Sequence, residues 1–372
     1  MKLQTAVLFA LFSHVLAHGD ADREFAERKR FLEIHTNNLD HCASKHEASG
    51  FYQRAAERRE KRAASLMAPS SLQALRARQT SSLGKSHKSD KPFNTKTDPK
   101  TVFAGMNSCV LHPETTEGPF YILGESVRST ITEDQQGVPL HLDIQLIDVD
   151  TCLPIKGTFI EMWNANSTGV YSGAIATVNG IGLSDKANFN RTYLRGAQQT
   201  DADGVVQFET FFPGHYEGRA PHIHIVSHFN ATPEANNTIW NTKVTHVGQV
   251  FFDQALVDAV KKVAPYSGNR QNLMQNARDN ILLQEAATAD PFFHYVQLGS
   301  DLRKDGLFAW FSFGVNQTFK RDVMAVALRE KEGGRMVTTN PKIPGLDGIF
   351  PGGFPTAYQP GYGTPARPTG RP

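Results

Sequence analysis

Cysteine is scarce in this sequence: 372 residues hold three, at Cys42, Cys109 and Cys152. So few exclude a disulfide-dense small scaffold, and their spacing matches no zinc site. An excess of one charge is lacking too. The formal net charge is +2, so nothing demands an anionic partner, and nucleic acid is not an expected ligand. Long apolar runs are missing as well. Roughly 20 such residues are needed to span a bilayer, and the run from Ala6 to Phe12 stops at Ser13-His14, so no membrane anchor is expected. No glycine-rich turn joins a strand to a helix, which excludes a dinucleotide-binding fold.

What is present begins with a short leader. Lys2 precedes the apolar run, and Val15-Leu16-Ala17 suits a signal peptidase, so residues 1–17 read as a signal peptide and the protein as secreted. Export agrees with five glycosylation acceptors, at Asn166, Asn190, Asn230, Asn236 and Asn316, each followed two positions later by Thr. In an oxidising compartment one cysteine pair is expected. Cys109 with Cys152 is the expected bridge because both flank the first core strand, leaving Cys42 free or bonded to another molecule.

Residues 18–78 read as a helical arm or propeptide rich in Ala, Glu and Arg, with a dibasic pair at Lys61-Arg62 that suits a processing protease. The arm also offers a surface for a homo-oligomer. Residues 79–101 are a polar linker, and 331–372 a flexible Pro/Gly-rich tail. The folded module therefore covers 102–330. Inside it the hydrophobic period is two, as in His141-Leu142-Asp143-Ile144-Gln145-Leu146. Similar strands are expected at 155–163, 192–199, 205–212, 221–229, 247–252 and 307–315, and a helix at about 253–263. Asp201-Ala202-Asp203-Gly204 reads as a hairpin turn, since the remaining ligands of a calcium loop are absent. The fold class is mainly β: an antiparallel β-sandwich with an N-terminal helical arm.

The chemistry concentrates at Tyr216-Glu217-Gly218-Arg219-Ala220-Pro221-His222-Ile223-His224. On a strand, residues two apart leave the same face, so both imidazoles can turn to one metal ion. Upstream lie Thr116-Glu117-Gly118-Pro119-Phe120-Tyr121 and Trp163-Asn164-Ala165-Asn166-Ser167-Thr168-Gly169-Val170-Tyr171-Ser172. In this order the three segments resemble the intradiol ring-cleavage dioxygenases, specifically their secreted branch, over about 105–315.

The resemblance implies iron(III) held by Tyr171, Tyr216, His222 and His224, with Tyr216 leaving the metal when substrate binds. It implies Arg219 and Gln249 as catalytic residues, Tyr121 and Arg219 as substrate contacts, and an aromatic diphenol with dioxygen as the reactants. The ligand set is chemically coherent. Phenolate is a hard anion suited to a hard trication, and direct coordination removes the phenol proton despite a free pKa near 10. There are departures from the family pattern. The proline of the histidine strand stands one residue late, Asn164 occupies a position where His is common, and only five residues separate Tyr216 from His222. The short loop implies an open site. Two other readings remain: a non-catalytic secreted protein that holds a metal or phenol on the same fold, and a zinc hydrolase, which tyrosine ligands disfavour.

Overall fold

The computed structural model describes residues 39–67, 110–111, 118, 120–175, 179–180, 185–286, 289–323, 325–330 and 333–336. The expected signal peptide and linker lie outside these residues, as does the tail beyond Met336. No helix among the described residues is long and apolar enough to cross a membrane.

Two five-stranded sheets face each other. One contains β1 (Val110–Leu111), β4 (Pro139–Asp148), β7 (Val205–Phe211), β11 (His294–Gln297) and β12 (Leu307–Val315). The other runs in the order β13 (Arg321–Asp322), β10 (Lys243–Phe251), β8 (His222–His228), β5 (Phe159–Trp163), β6 (Arg195–Gln199). Short ladders add β2 (Ile122–Leu123), β3 (Glu125–Ser126), β9 (Thr238–Ile239), β14 (Ala327–Glu330) and β15 (Gly333–Met336). The expected mainly-β sandwich is found. The second sheet is antiparallel throughout, whereas in the first β12 lies parallel to both β4 and β1. Strands joined by long connections have no hairpin to force opposite directions. The hairpin turn expected near Gly204 connects β6 to β7, which lie in different sheets. One boundary moves: β15 pairs with β14, so ordered structure continues into what was read as tail.

Alternation fixes which residues meet. Leu140, Leu142, Ile144 and Leu146 of β4 join Leu307, Ala309, Phe311 and Phe313 of β12 in the central core. Ile160 and Met162 of β5 and Ile223 and Ile225 of β8 reach it from the opposite sheet. The intervening residues point outward, yet most are buried as well, because each outer face is covered. Phe120, Ile122 and Val326 lie over Trp163, Val226 and Val247 of the second sheet, and the arm lies over the first.

The arm is helical where it is described: α1 (Ala43–Ala48) and α2 (Phe51–Leu66). The apolar content of α2 looked sparse because its buried stripe is made of Phe51, Ala55, Ala56, Arg59 and Ala63. Small alanines let the helix approach Phe308 and Trp310 closely. Arg59 is fully buried (0% exposed), and with Arg58 it pairs with Asp143 on the outer face of β4. The expected helix near 253–263 appears as α3 (Gln254–Lys261), capped by Asp253; α4 (Asn280–Ala286) and α5 (Leu302–Asp305) complete the helices.

The expected Cys109–Cys152 bridge is corrected by the structure: Cys152 bonds to Cys42. The arm folds back so that Leu39, Cys42 and Phe51 pack with Ile147, Val149 and Cys152, and this long-range contact outweighs nearness in sequence. Cys109 lies outside the described residues. Replacing Cys42 and Cys152 together by serine is expected to lower stability by about 2 to 5 kcal/mol, because the bond closes a long loop in the unfolded chain. Urea midpoints of the two proteins would measure it, and equal midpoints would mean the bond adds nothing.

Candidate metal centre

β8 supplies the imidazoles. Its odd residues Ile223 and Ile225 enter the core, so His222 and His224 face the opposite side, with Trp163 and Gln249 beside them in register. The ring of His224 stacks on Trp163, centroids 4.7 Å apart. Gly118 fits closely against the same histidine: a Cβ there would stand 3.2 Å from its Cε1.

The two tyrosines arrive on loops that are locked together. Asn188 and Asn179 both donate to Tyr171 O, and Asn179 also accepts from Tyr171 N. Phe120 stacks on the Tyr171 ring at 4.4 Å. The Tyr216 loop presses on the Tyr171 loop at Gly214, where any Cβ would collide with Asn166 O. Asn166, a candidate glycan acceptor, spends its side chain on this turn: its amide donates to Gln135, and its oxygen accepts from Thr168 and Val170.

These pieces converge on one point. His222 Nε2 lies 3.1 Å from His224 Nε2 and 3.4 Å from each of the Tyr171 and Tyr216 hydroxyls. The other nitrogen of His222, Nδ1, is 2.6 Å from Ala220 O. A carbonyl can only accept, so Nδ1 carries the proton and Nε2 presents a lone pair. The His224 imidazole is held well below its usual pKa by burial, by His222 and by Arg219 and Arg195, so it too is neutral near pH 7. Burial, together with Tyr216, pushes the Tyr171 phenol well up, and burial raises Tyr216 against the pull of Arg219.

The residues present fit a ferric ion. Two nitrogens bound at right angles to one ion, each at about 2.1 Å, would stand about 3 Å apart, close to the observed spacing. With Nδ1–H on His224 both Nε2 lone pairs would face one cation between them, and two buried phenols could supply the hard anionic oxygens that iron(III) takes.

Arg219 sits at the rim. Its Nη2 donates to Gln249 Oε1 at 2.5 Å and its Nε to Asp279 Oδ2 at 2.9 Å. Burial opposes its charge, but Asp279 and the phenols outweigh burial and raise its pKa further above the usual value. Tyr121 is buried one ring away, tilted against Trp163 at 5.4 Å. Tyr171, Tyr216, His222, His224, Arg219 and Gln249 thus share one site, with Tyr121 bordering it through Trp163.

Residues 116–252 match the family model described as Dioxygenase. Over 109 residues the chain is 34% identical to catechol 1,2-dioxygenase 1 of Acinetobacter lwoffii, a match covering 28% of this chain and 32% of that protein. It is 32% identical to an intradiol ring-cleavage dioxygenase from Tetranychus urticae, over 58% of this chain and 99% of that one, with a TM-score of 0.47. The chain belongs to the intradiol ring-cleavage dioxygenase family. A further solved structure is the dioxygenase domain of a dioxygenase carbohydrate-binding fusion from Streptomyces sp. SirexAA-E (21% identity, 55% of this chain, 98% of that chain, TM-score 0.35).

Within this intradiol family chain, sequence reasoning passed over two buried side chains that hold the site. Arg195 donates to Phe120 O and to Ser172 O and Oγ, tying the two loops that carry Phe120 and Tyr171. Asp279 holds Arg219 and the neighbouring Ala220 N–H. A signal existed for Asp279, since Asp279-Asn280-Ile281-Leu282-Leu283 reads as a helix cap before an apolar run. For Arg195 the sequence offers only a strand arginine.

Proposed function

We propose that this protein cleaves catechol-type rings between their two hydroxyl-bearing carbons, using dioxygen and an iron(III) ion held by Tyr171, Tyr216, His222 and His224. The observation that carries this reading is the meeting of two phenol oxygens and a second imidazole around the unprotonated Nε2 of His222. Iron(III) held there would supply the Lewis acidity that lets a diphenol give up its hydroxyl protons, and the resulting dianion is the electron-rich ring that dioxygen attacks. Tyr216, as the departing phenolate, would accept one of the two hydroxyl protons and a displaced hydroxide the other, so no separate carboxylate base is needed. Arg219 offsets the negative charge of the ring dianion, and Gln249 keeps its guanidinium turned inward. Trp163 and Phe120 cover His224 and Tyr171 and exclude water from that side. Both oxygen atoms end in a muconate-type diacid. We also propose that the protein is exported; the Cys42–Cys152 bond supports this, because such bonds persist in oxidising compartments.

The test uses the full chain reconstituted with iron in air. Expected are a wine-red colour from tyrosinate coordinated to iron(III), then oxygen uptake and a diacid product when catechol is added. A coloured protein that consumes no oxygen with any of a panel of diphenols would support the metal- or phenol-binding reading instead. A colourless protein that takes zinc in preference to iron would overturn the ligand assignment.

A further inference from the structure

The segment from Tyr216 to His224 carries most of the site, and its hairpin-like turn at Glu217-Gly218 is closed by a bridge between Tyr216 and Arg219. So short a turn does not fix the direction of an arginine or an imidazole. A group outside the segment does so. Asp279 is 1% exposed and stands just before α4. One of its oxygens, Oδ1, accepts the N–H groups of Ile281 and Leu282 at 2.9 and 3.1 Å, which caps the helix. The other, Oδ2, accepts Arg219 Nε at 2.9 Å and Ala220 N at 2.7 Å. The four lone pairs of the carboxylate are thus matched by four donors.

The Ala220 contact reaches further. The N–H and C=O of Ala220 lie in adjacent peptide planes joined through its own φ and ψ, which the following Pro221 restricts, so anchoring the N–H restrains the carbonyl that accepts His222 Nδ1 at 2.6 Å. That acceptor decides which nitrogen of His222 is protonated and where its Nε2 lone pair points. The guanidinium is fixed at the same time from two sides, by Asp279 at Nε and by Gln249 at Nη2.

We propose that Asp279 is the positioning residue of this site, orienting Arg219 directly and His222 through the Ala220 peptide while it ties both to the first turn of α4. The inference rests on the reading in which His222 binds the metal and Arg219 faces substrate. It differs from a simple capping role, because a cap needs only Oδ1.

Asp279→Ser separates the two roles. A serine hydroxyl can still cap α4 but is too short to reach Arg219. Against wild type, the variant is expected to keep its melting temperature within a few degrees. Its kcat for catechol should fall about 100-fold with KM changed less than about threefold, as for an interaction made in the transition state. The tyrosinate–iron(III) absorption band should also shift. Calorimetric titration of the metal-free full chain with cobalt(II) gives a readout independent of activity, with affinity expected to fall about 10- to 100-fold. If the serine variant does not fold, Asp279→Asn is used. It keeps the shape but turns an amide toward donors on one side, and the same losses are expected. Asp301→Asn, at the cap of the distant α5, serves as the control that leaves every site readout unchanged.

Wild-type kcat, absorption and cobalt affinity in either variant would reduce Asp279 to a cap and overturn the proposal. Should the wild-type protein itself consume no oxygen, the ring-cleavage reading fails separately. The cobalt titration then still decides whether Asp279 orients His222.

Discussion

Replacing His224 by alanine is expected to bleach the iron-loaded protein and to reduce oxygen uptake with catechol by about a thousandfold or more. His224 is one of two neutral donors in the group, and its ring is held flat between Trp163 and the Gly118 backbone. No described side chain stands ready to replace it. The paired variant, with His222 also changed to alanine, is expected to lose little beyond the single change, since groups that act as one unit do not add. The measurement is oxygen consumption per protein alongside visible absorption and metal content. A His224→Ala protein that kept its iron and its rate within threefold would show that the chemistry resides elsewhere. Folding is a weaker concern here than in the core, because the imidazole points away from the sandwich interior that Ile223 and Ile225 fill.

A second large effect is expected far from the metal. Asp143→Ala should cost about 3 to 5 kcal/mol, the range for removing one partner of a buried ion pair. Arg59, fully buried, would lose the carboxylate it pairs with, although Ser312 Oγ still accepts from it at 2.8 Å. Arg58 would lose both of its hydrogen bonds to that carboxylate. Urea unfolding measures the loss, and cleavage at Lys61-Arg62 by trypsin should accelerate as α2 loosens from the sheet. An unchanged urea midpoint would show that the arm is held by its alanine packing alone.

The same carboxylate predicts a pH dependence. Burial raises the pKa of Asp143, but Arg58 and Arg59 outweigh burial and hold it below the usual value. Its folded pKa is thus depressed, so its contribution is complete above the unfolded carboxylate range near 4 and disappears as pH falls through the folded value. Asp148 and Asp279 are depressed as well and act in the same direction. Wild-type stability should therefore decline below about pH 4, and Asp143→Ala should show a shallower decline.

How much of this was legible in the sequence follows from the range of each interaction. Strands with period two, such as His141 to Asp148, announce themselves locally, and so does the pair His222 and His224. The two tyrosines became readable only through their motifs, because a loop tyrosine alone says nothing of what it meets. Sequence order could not show that Arg59 finds Asp143, or that Asp279 finds Arg219, since each pair joins elements brought together by the tertiary fold. The disulfide was misassigned for the same reason: nearness along the chain favoured Cys109, while the packing of Leu39 and Phe51 brings Cys42 to the turn after β4.

That bond has a topological consequence. The chain from Cys42 to Cys152 is a covalent ring, and a ring must be cut twice before anything leaves it. One cut at the dibasic pair in α2 would therefore yield two polypeptides that migrate together on a gel until a reductant parts them. A single cut there and release of the arm would thus be separate events, and only the second would depend on the redox state of the surroundings.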